Sequence, residues 1–458
     1  MQKLKVDLDL VRKFNVPGPR YTSYPPATHF TEEFELSDWE AHIAGNNQNA
    51  KRDLSLYFHL PFCESLCWFC GCTTVITTVQ DKSRVYLDYI EKEMDLMGEK
   101  IHADRQVAQL HLGGGTPTFL TAEEIVRLGG MVKSRFEIRA NLEAGVEVDP
   151  RRLTEEKVQA LAEVGFNRAS MGVQDNNPQV QQAIHRIQPF EMTAQTVEWV
   201  RQYGFESVNI DLIYGLPHQT VKSFEKTLDE VLTLQPDRFA VFSYAHVPWI
   251  KPAQKILTDD ILPSAEVKLE LLKLTIEKLN AAGYRYIGMD HFAREDDELT
   301  VAQREKTLQR NFQGYSTKGG VDIYSYGMSS ISQAEDIYWQ NKKELPDYYA
   351  DLDAGRLPLS KAYILTQEDG IRRQTIMRLM CDLELDYAAM SEVLGLDFEK
   401  HFAAELASFD DLEADGVVQC QAGKLVVTDL GRLFIRVIAM RFDEYLIAGK
   451  KGRFSQAI

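Results

Sequence analysis

The chain has 458 residues, enough for one large domain and a smaller one. Hydrophobic residues make up 44% and charged residues 26%, an ordinary globular balance, and the formal charge of −17 argues against a partner with a phosphate backbone, so nucleic acid is not expected. Residues 1–7 contain no apolar signal core and no apolar stretch approaches about 20 residues, which predicts neither export nor a membrane span. The expectation is a cytoplasmic protein whose thiols stay reduced.

Short apolar, β-branched runs occur at 54–60, 107–112, 145–148, 168–172, 207–213 and 238–244, with a further candidate at 284–289. Amphipathic segments at 82–101, 122–133, 154–164, 190–203, 223–234 and 265–282 lie between or after them. Thr121 and Glu124 have the spacing of a capping box at a helix start. Such alternation predicts parallel strands joined by crossover helices, an α/β fold. Six units suit a partial barrel, (β/α)6, and a doubly wound open sheet is the competing arrangement. Motif position favours the barrel, because the unusual polar and glycine-rich clusters follow the carboxyl ends of the strands, where parallel α/β folds place their sites. After about residue 362 helical patterns dominate, and 417–421 and 424–428 flank Ala422 and Gly423 like a hairpin. A winged-helix-like unit there would suggest nucleic acid, but Asp397, Glu399, Glu405, Asp410, Asp411, Glu413 and Asp415 crowd the preceding stretch and favour a lid or packing domain.

The first strand leads into a loop holding four of the six cysteines, Cys63, Cys67, Cys70 and Cys72. The first three form a CxxxCxxC. Three thiolates on a four-iron, four-sulfur cluster leave one iron open for a reacting ligand, which makes the spacing a catalytic signal. A structural zinc site prefers four protein ligands, and Cys72 sits too near Cys70 for both to bind one ion comfortably. Zinc and a redox dithiol remain the alternatives at this point.

Gly113, Gly114, Gly115, Thr116 and Pro117 follow the second strand with neither a Walker nor a Rossmann spacing. Glycines there either admit a ligand close to the backbone or make a tight turn. Glu147 and Asp211 lie in or at the end of apolar strands, where a carboxylate is costly unless paired. Ligand hydroxyls or an ammonium group would explain them, and so would an ion pair with Arg168 or Arg186. His59, His111, His246 and His291 are read as core histidines without a metal role.

Together these motifs resemble the radical S-adenosylmethionine enzymes, and more narrowly the oxygen-independent coproporphyrinogen III oxidases of haem synthesis. The resemblance runs through almost the whole chain. Its most specific parts are Gly18-Pro19-Arg20-Tyr21-Thr22-Ser23-Tyr24-Pro25 and the Cys70-Gly71-Cys72 ending, with further matches at 57–63, 113–118, 147–150, 171–175, 209–217, 289–294 and 311–315. It departs at Pro26, Thr73 and Ile187, all peripheral. A haem-binding chaperone of the same superfamily, or a radical enzyme that modifies haem, is the rival; the chaperones lack the arm motif and the fourth cysteine.

The resemblance implies a radical S-adenosylmethionine barrel at 51–361, an N-terminal arm near the substrate entrance at 1–50, and a small, mostly helical C-terminal domain at 362–458. Cys63, Cys67 and Cys70 would hold a [4Fe-4S] cluster, and Cys72 would lie near it without binding. Two S-adenosylmethionine molecules are implied. Tyr57, Gly114, Glu147 and Ile331 would contact the first, and Phe69, Gly115, Thr116, Gln174, Arg186, Asp211 and Ala245 the second. A 5′-deoxyadenosyl radical would take hydrogen from a propionate of coproporphyrinogen III, and loss of CO2 and one electron would leave a vinyl group. Two propionates react, giving protoporphyrinogen IX. Arg20 and Tyr21 would face the substrate. An electron donor is required, and a monomer is expected.

Overall fold

The computed structural model describes residues 6–48 and 50–447. Six strands, β1 (Leu54–Leu60), β2 (Gln106–Gly114), β3 (Glu137–Val148), β4 (Arg168–Gln174), β5 (Ser207–Tyr214) and β6 (Arg238–Ser243), lie side by side and parallel. β1 is buried at six of its seven positions, as a parallel strand covered on both faces should be. The helices α1 (Asp81–Gly98), α2 (Ala122–Arg135), α3 (Glu155–Val164), α4 (Phe190–Gln202), α5 (Val221–Leu232) and α6 (Ala265–Ala281) follow these strands in turn. The capping box at the start of α2 forms: Thr121 Oγ1 accepts from the Glu124 N–H at 3.2 Å, and Glu124 Oε2 from the Thr121 N–H at 2.9 Å. Gly129 of α2 packs where a Cβ would stand 2.5 Å from Val164 of α3, so the two helices approach closely.

The sheet has twelve strands and does not close on itself. The candidate strand at 284–289 forms β7 (Tyr284–Gly288), which runs antiparallel to β8 (His291–Arg294), and β8 pairs antiparallel with β6. It is therefore the outer strand of an edge hairpin and not a seventh parallel stave. On the other side β9 (Asp322–Tyr326) joins β1 in parallel and is extended by the antiparallel strands β10 (Ile331–Gln333), β11 (Ile337–Asn341) and β12 (Leu359–Ile364). β12 runs across the 361/362 boundary read from the sequence. The arm adds to it, since Thr31 and Ala362 exchange two backbone hydrogen bonds of 3.0 and 3.1 Å.

Beyond β12, helix Gln367–Asp382 packs against a small antiparallel sheet of Glu384–Asp386, Lys424–Val427 and Val418–Gln421. The hairpin at Ala422 and Gly423 is as expected from the sequence. One continuous apolar cluster includes Phe14 of the arm, Phe58 of β1, Ile376 and Phe434, so the carboxyl-terminal region shares the barrel's core. No helix among the described residues is long and apolar enough to cross a membrane.

β9 is held beside β1 by a buried charge. Asp322 is fully buried and accepts from Arg105, itself almost fully buried, and from Arg52 at 2.6 Å. Arg105 also donates to the Arg52 carbonyl at 2.9 Å and to Asn47 Oδ1 at 2.8 Å. Removing one member of such a set leaves an uncompensated charge in the interior. Arg105→Met should therefore lose about 3 kcal/mol of stability, measured as a lower urea midpoint with an unchanged slope; an unaltered midpoint would show that Arg52 alone neutralises Asp322.

Candidate active site

β1 and β2 do not part company at their ends. The Leu60 carbonyl accepts from the Gly115 N–H at 2.8 Å, and the Phe62 carbonyl from the Thr116 N–H at 2.9 Å. Gly115 is needed there: a Cβ would stand 2.4 Å from the Pro61 carbonyl oxygen. Gly114 has φ +118°, and its Cβ would meet the His59 ring at 2.8 Å. The glycine turn is thus sewn to the start of the cysteine loop. That loop also closes on itself, with Val75 N–H donating to Pro61 and Thr77 N–H to Cys63.

Each of the three CxxxCxxC sulfurs has a polar neighbour. Cys63 Sγ lies 3.3 Å from the Thr116 hydroxyl, Cys67 Sγ accepts from Arg151 at 3.5 Å and Arg186 at 3.8 Å, and Cys70 Sγ accepts from the Cys72 N–H at 3.4 Å. Burial, with repulsion from the other two sulfurs, pushes the Cys63 thiol up to about 11. Cys70 is lowered to about 6, first by the Cys72 thiol and then by the Cys72 N–H, Lys251 and Arg186, while Cys72 is pushed well up. Among the described residues no three His, Cys, Asp or Glu side chains converge on a single ion. Three hydrogen-bonded thiols on one loop suit a cluster that takes one cysteine per iron, and differ from a closed four-ligand zinc site.

The barrel mouth beside this loop is rich in charge. Tyr57 of β1 stacks on His111 (centroids 5.8 Å apart, planes at 13°), and its hydroxyl lies 3.2 Å from His59 Nδ1. His59 Nε2 faces the Thr73 carbonyl at 3.1 Å. A carbonyl only accepts, so Nε2 carries the proton and Nδ1 accepts from Tyr57. Glu147 ends β3 with Oε2 accepting from the Gly114 N–H at 3.1 Å and Oε1 3.7 Å from His111. Asp211 of β5 accepts from Asn209 at 2.7 Å and from Ser170 at 3.3 Å. Burial, then the negative charge of Glu147, raises its carboxyl to about 7.

Neither arginine considered from the sequence pairs with Asp211. Arg168 is held by Glu298 at 2.7 Å, and Arg186 by Asp149 at 3.3 Å. Arg186 also donates to the Gly172 carbonyl at 2.6 Å, beside Gln174, whose φ is +68°. Two buried atoms at this point, Gln174 Oε1 and Arg186 Nε, have no hydrogen-bond partner among the described residues. Orphaned polar atoms beside an unpaired carboxylate fit a ligand with ammonium, carboxylate and hydroxyl groups. The Phe69 carbonyl accepts from Gln254 at 2.9 Å, which fixes the far side of the cysteine loop. Ile331 is reached through β9: Ser325 pairs opposite Tyr57, and its hydroxyl donates to the Ile331 carbonyl.

Ala245, just past β6, lines a cavity of about 960 Å³ together with Arg20, Tyr214, His246, Trp249 and Lys268. Arg20 is ion-paired with Asp290 and faces this space. Tyr21 does not. It is buried, and its hydroxyl donates to Asp443 Oδ2 at 2.8 Å. Sequence reading passed over Asp290, Arg151 and Gln254 as functional residues. Asp290 stood inside a matched motif, whereas Arg151 and Gln254 carried no local signal.

Two family patterns match: the Radical SAM superfamily over residues 57–231 and the HemN C-terminal domain over residues 365–434. A Synechocystis protein named oxygen-independent coproporphyrinogen III oxidase is 45% identical, covering 98% of this chain and 97% of its own length. A protein of the same name from Escherichia coli is 46% identical over 100% and 98% respectively. The solved structure of coproporphyrinogen III oxidase (HemN) from Escherichia coli, described as a radical SAM enzyme, superposes with a TM-score of 0.92 at 45% identity, covering 97% of this chain and 100% of that one.

The raised Asp211 carboxyl has a measurable consequence. Its folded value of about 7 lies above the unfolded one, so its stabilising contribution is complete below the unfolded value and is lost as pH rises through about 7. Asp211→Asn should raise the melting temperature of the ligand-free protein at pH 8 and hardly at pH 4, a difference worth at most about 4 kcal/mol. Parallel melting curves for the two proteins across that range would contradict the assignment.

Proposed function

The chain belongs to the oxygen-independent coproporphyrinogen III oxidase family, and from that premise we propose the reaction and the residues that serve it. The reaction is the anaerobic oxidative decarboxylation of coproporphyrinogen III propionates to vinyl groups in haem biosynthesis. When bound, the [4Fe-4S] cluster and S-adenosylmethionine supply one-electron chemistry and a radical able to remove a propionate hydrogen. The cluster ligands in this reading are Cys63, Cys67 and Cys70, with Cys72 beside them and not bound.

The chain's own residues bind, orient and screen. Gly114 and Gly115 hold the turn tightly against His59 and Pro61, where a Cβ would collide, and in this reading they meet S-adenosylmethionine through their backbone at the strand ends. Glu147 and Asp211 take ammonium or hydroxyl groups, and Asp211 surrenders its proton when a cationic group arrives, since its carboxyl stands near 7 without one. Arg186, fixed by Asp149, offers its remaining N–H to a carboxylate. Two S-adenosylmethionine molecules, one served by Tyr57, Gly114, Glu147 and Ile331 and one by Phe69, Gly115, Thr116, Gln174, Arg186, Asp211 and Ala245, complete the reading. We also propose that the protein works as a cytoplasmic monomer and takes electrons from a separate donor.

The observation that carries this reading is that the sulfur loop and the cavity of about 960 Å³ are joined by one segment. Gln254 grips the Phe69 carbonyl, while Ala245 and Trp249, a few residues earlier, line the cavity. The test is anaerobic turnover of the reconstituted protein with S-adenosylmethionine, reductant and coproporphyrinogen III. Protoporphyrin with about two 5′-deoxyadenosines per product is expected, because two propionates react. Cleavage without decarboxylation would indicate another tetrapyrrole, and tight haem binding without cleavage a chaperone. Ser at Cys63, Cys67 or Cys70 should abolish bound iron and turnover together, whereas Cys72→Ser should keep its iron; full iron content in a Cys63→Ser protein would defeat the ligand assignment.

A further inference from the structure

The cavity of about 960 Å³ contains three cationic side chains, Arg12, Arg20 and Lys268. Two are already neutralised. Arg12 pairs with Asp9 at 2.7 Å, and Arg20 with Asp290. Lys268, in the first turn of α6, has no ion pair and no side-chain hydrogen bond among the described residues, and burial alone draws its ammonium below the usual lysine range. The nearby Glu266 is no substitute. Its carboxylate is satisfied at the helix start by its own N–H and by Ser264.

The position of Lys268 is built into the β5 turn. Gly215 has φ +87°, and a Cβ on it would stand 3.0 Å from Lys268 Cε. The glycine of the Tyr214-Gly215-Leu216-Pro217 turn therefore supplies both the left-handed backbone and the room for the lysine stem. A stem laid across backbone presents its ammonium at a fixed place, where a free surface lysine would swing. A partly buried ammonium without a counter-charge is unfavourable unless an anion arrives.

On the reading that the substrate is coproporphyrinogen III, we infer that Lys268 is a substrate-binding residue that holds one of its propionate carboxylates. The cavity is far larger than an inorganic anion needs, and it opens beside Tyr214 and Ala245 at the strand ends where the chemistry is placed. A tetrapyrrole with carboxylates around its rim needs several separate cations to fix its orientation. Lys268 is the one in this cavity that gives up no existing partner to bind, whereas Arg20 must share its charge with Asp290.

The test uses the reconstituted holoenzyme and coproporphyrin III, the oxidised and stable form of the substrate, with its tetramethyl ester as a neutral control. A charge-assisted hydrogen bond to a carboxylate predicts that Lys268→Met weakens coproporphyrin binding and raises KM by about ten- to a hundredfold, with a smaller change in kcat. Lys268→Arg should restore most of the affinity. The ester should bind wild type and Lys268→Met alike. Equal coproporphyrin affinity in wild type and Lys268→Met, with wild-type turnover intact, overturns the inference alone. An equal loss for acid and ester also overturns it, because that marks packing and not charge. Wild type that neither binds coproporphyrin nor turns over coproporphyrinogen overturns the functional reading and this inference with it.

Discussion

Two backbone hydrogen bonds, from Gly115 and Thr116 to the carbonyls of Leu60 and Phe62, prolong the β1–β2 ladder past the point where the strands end. Loops at strand ends normally diverge, because nothing beyond the sheet pairs their peptide groups. Here the ladder continues through a turn that has no Cβ at Gly115, the one place where Pro61 would collide with it. The first cysteine is thereby fixed relative to the sheet, and the Thr116 hydroxyl arrives at its sulfur. The cysteine loop is thereby tied to the barrel's sheet at its first turn.

Around that turn the electrostatics are unbalanced in a directed way. Glu147 and Asp211 lie near enough to repel, and neither holds an arginine among the described residues. The arginines that were candidates to neutralise Asp211 serve Glu298 and Asp149. Arg186 in turn stands between Asp149 and the Cys67 sulfur, so positive charge gathers on the sulfur side and negative charge on the lumen side. A ligand with both an amino and a carboxylate group matches such a division. Leaving the pair uncompensated costs stability in the free protein, a common trade at binding sites.

The six parallel strands, their crossover helices, the capping box at Thr121 and the hairpin at Gly423 were legible because each is a local pattern of apolar period and turn chemistry. β3 was read only from 145, since its first half, with Glu137, Arg139, Asn141 and Glu143, is polar and largely exposed. Pairing direction at the edges of the sheet was not legible. Nothing in the composition of 284–288 says that it turns back through Met289 and Asp290 to pair antiparallel, and β9 reaches β1 through a buried ion pair between residues 105 and 322. The 361/362 boundary fell inside β12 because the change to helical texture follows the edge strand closely. For the site, the cysteines, glycines and buried carboxylates stood out as residue types that are costly in those places. The partner of each charge did not, because a partner is fixed by tertiary geometry.

Tyr21 shows how the arm obtains its geometry. The carbonyls of Gly18 and Pro19 accept from Arg436, and those of Arg20 and Tyr21 from Arg310. Two arginines from distant parts of the chain thus occupy four successive carbonyls of a segment with no sheet of its own. With φ +47° at Tyr21, the chain turns so that the tyrosine ring goes inward to Asp443 while Arg20 faces Asp290 and the cavity. An irregular arm could not hold a guanidinium at a cavity wall unaided, because its peptide groups would be solvated and free to reorient. Arg436 belongs to the carboxyl-terminal region and Asp443 follows it closely, so that region shapes the cavity without lining most of it. Through Arg436 and Asp443 its packing against the arm fixes the backbone that carries Arg20 to the cavity wall.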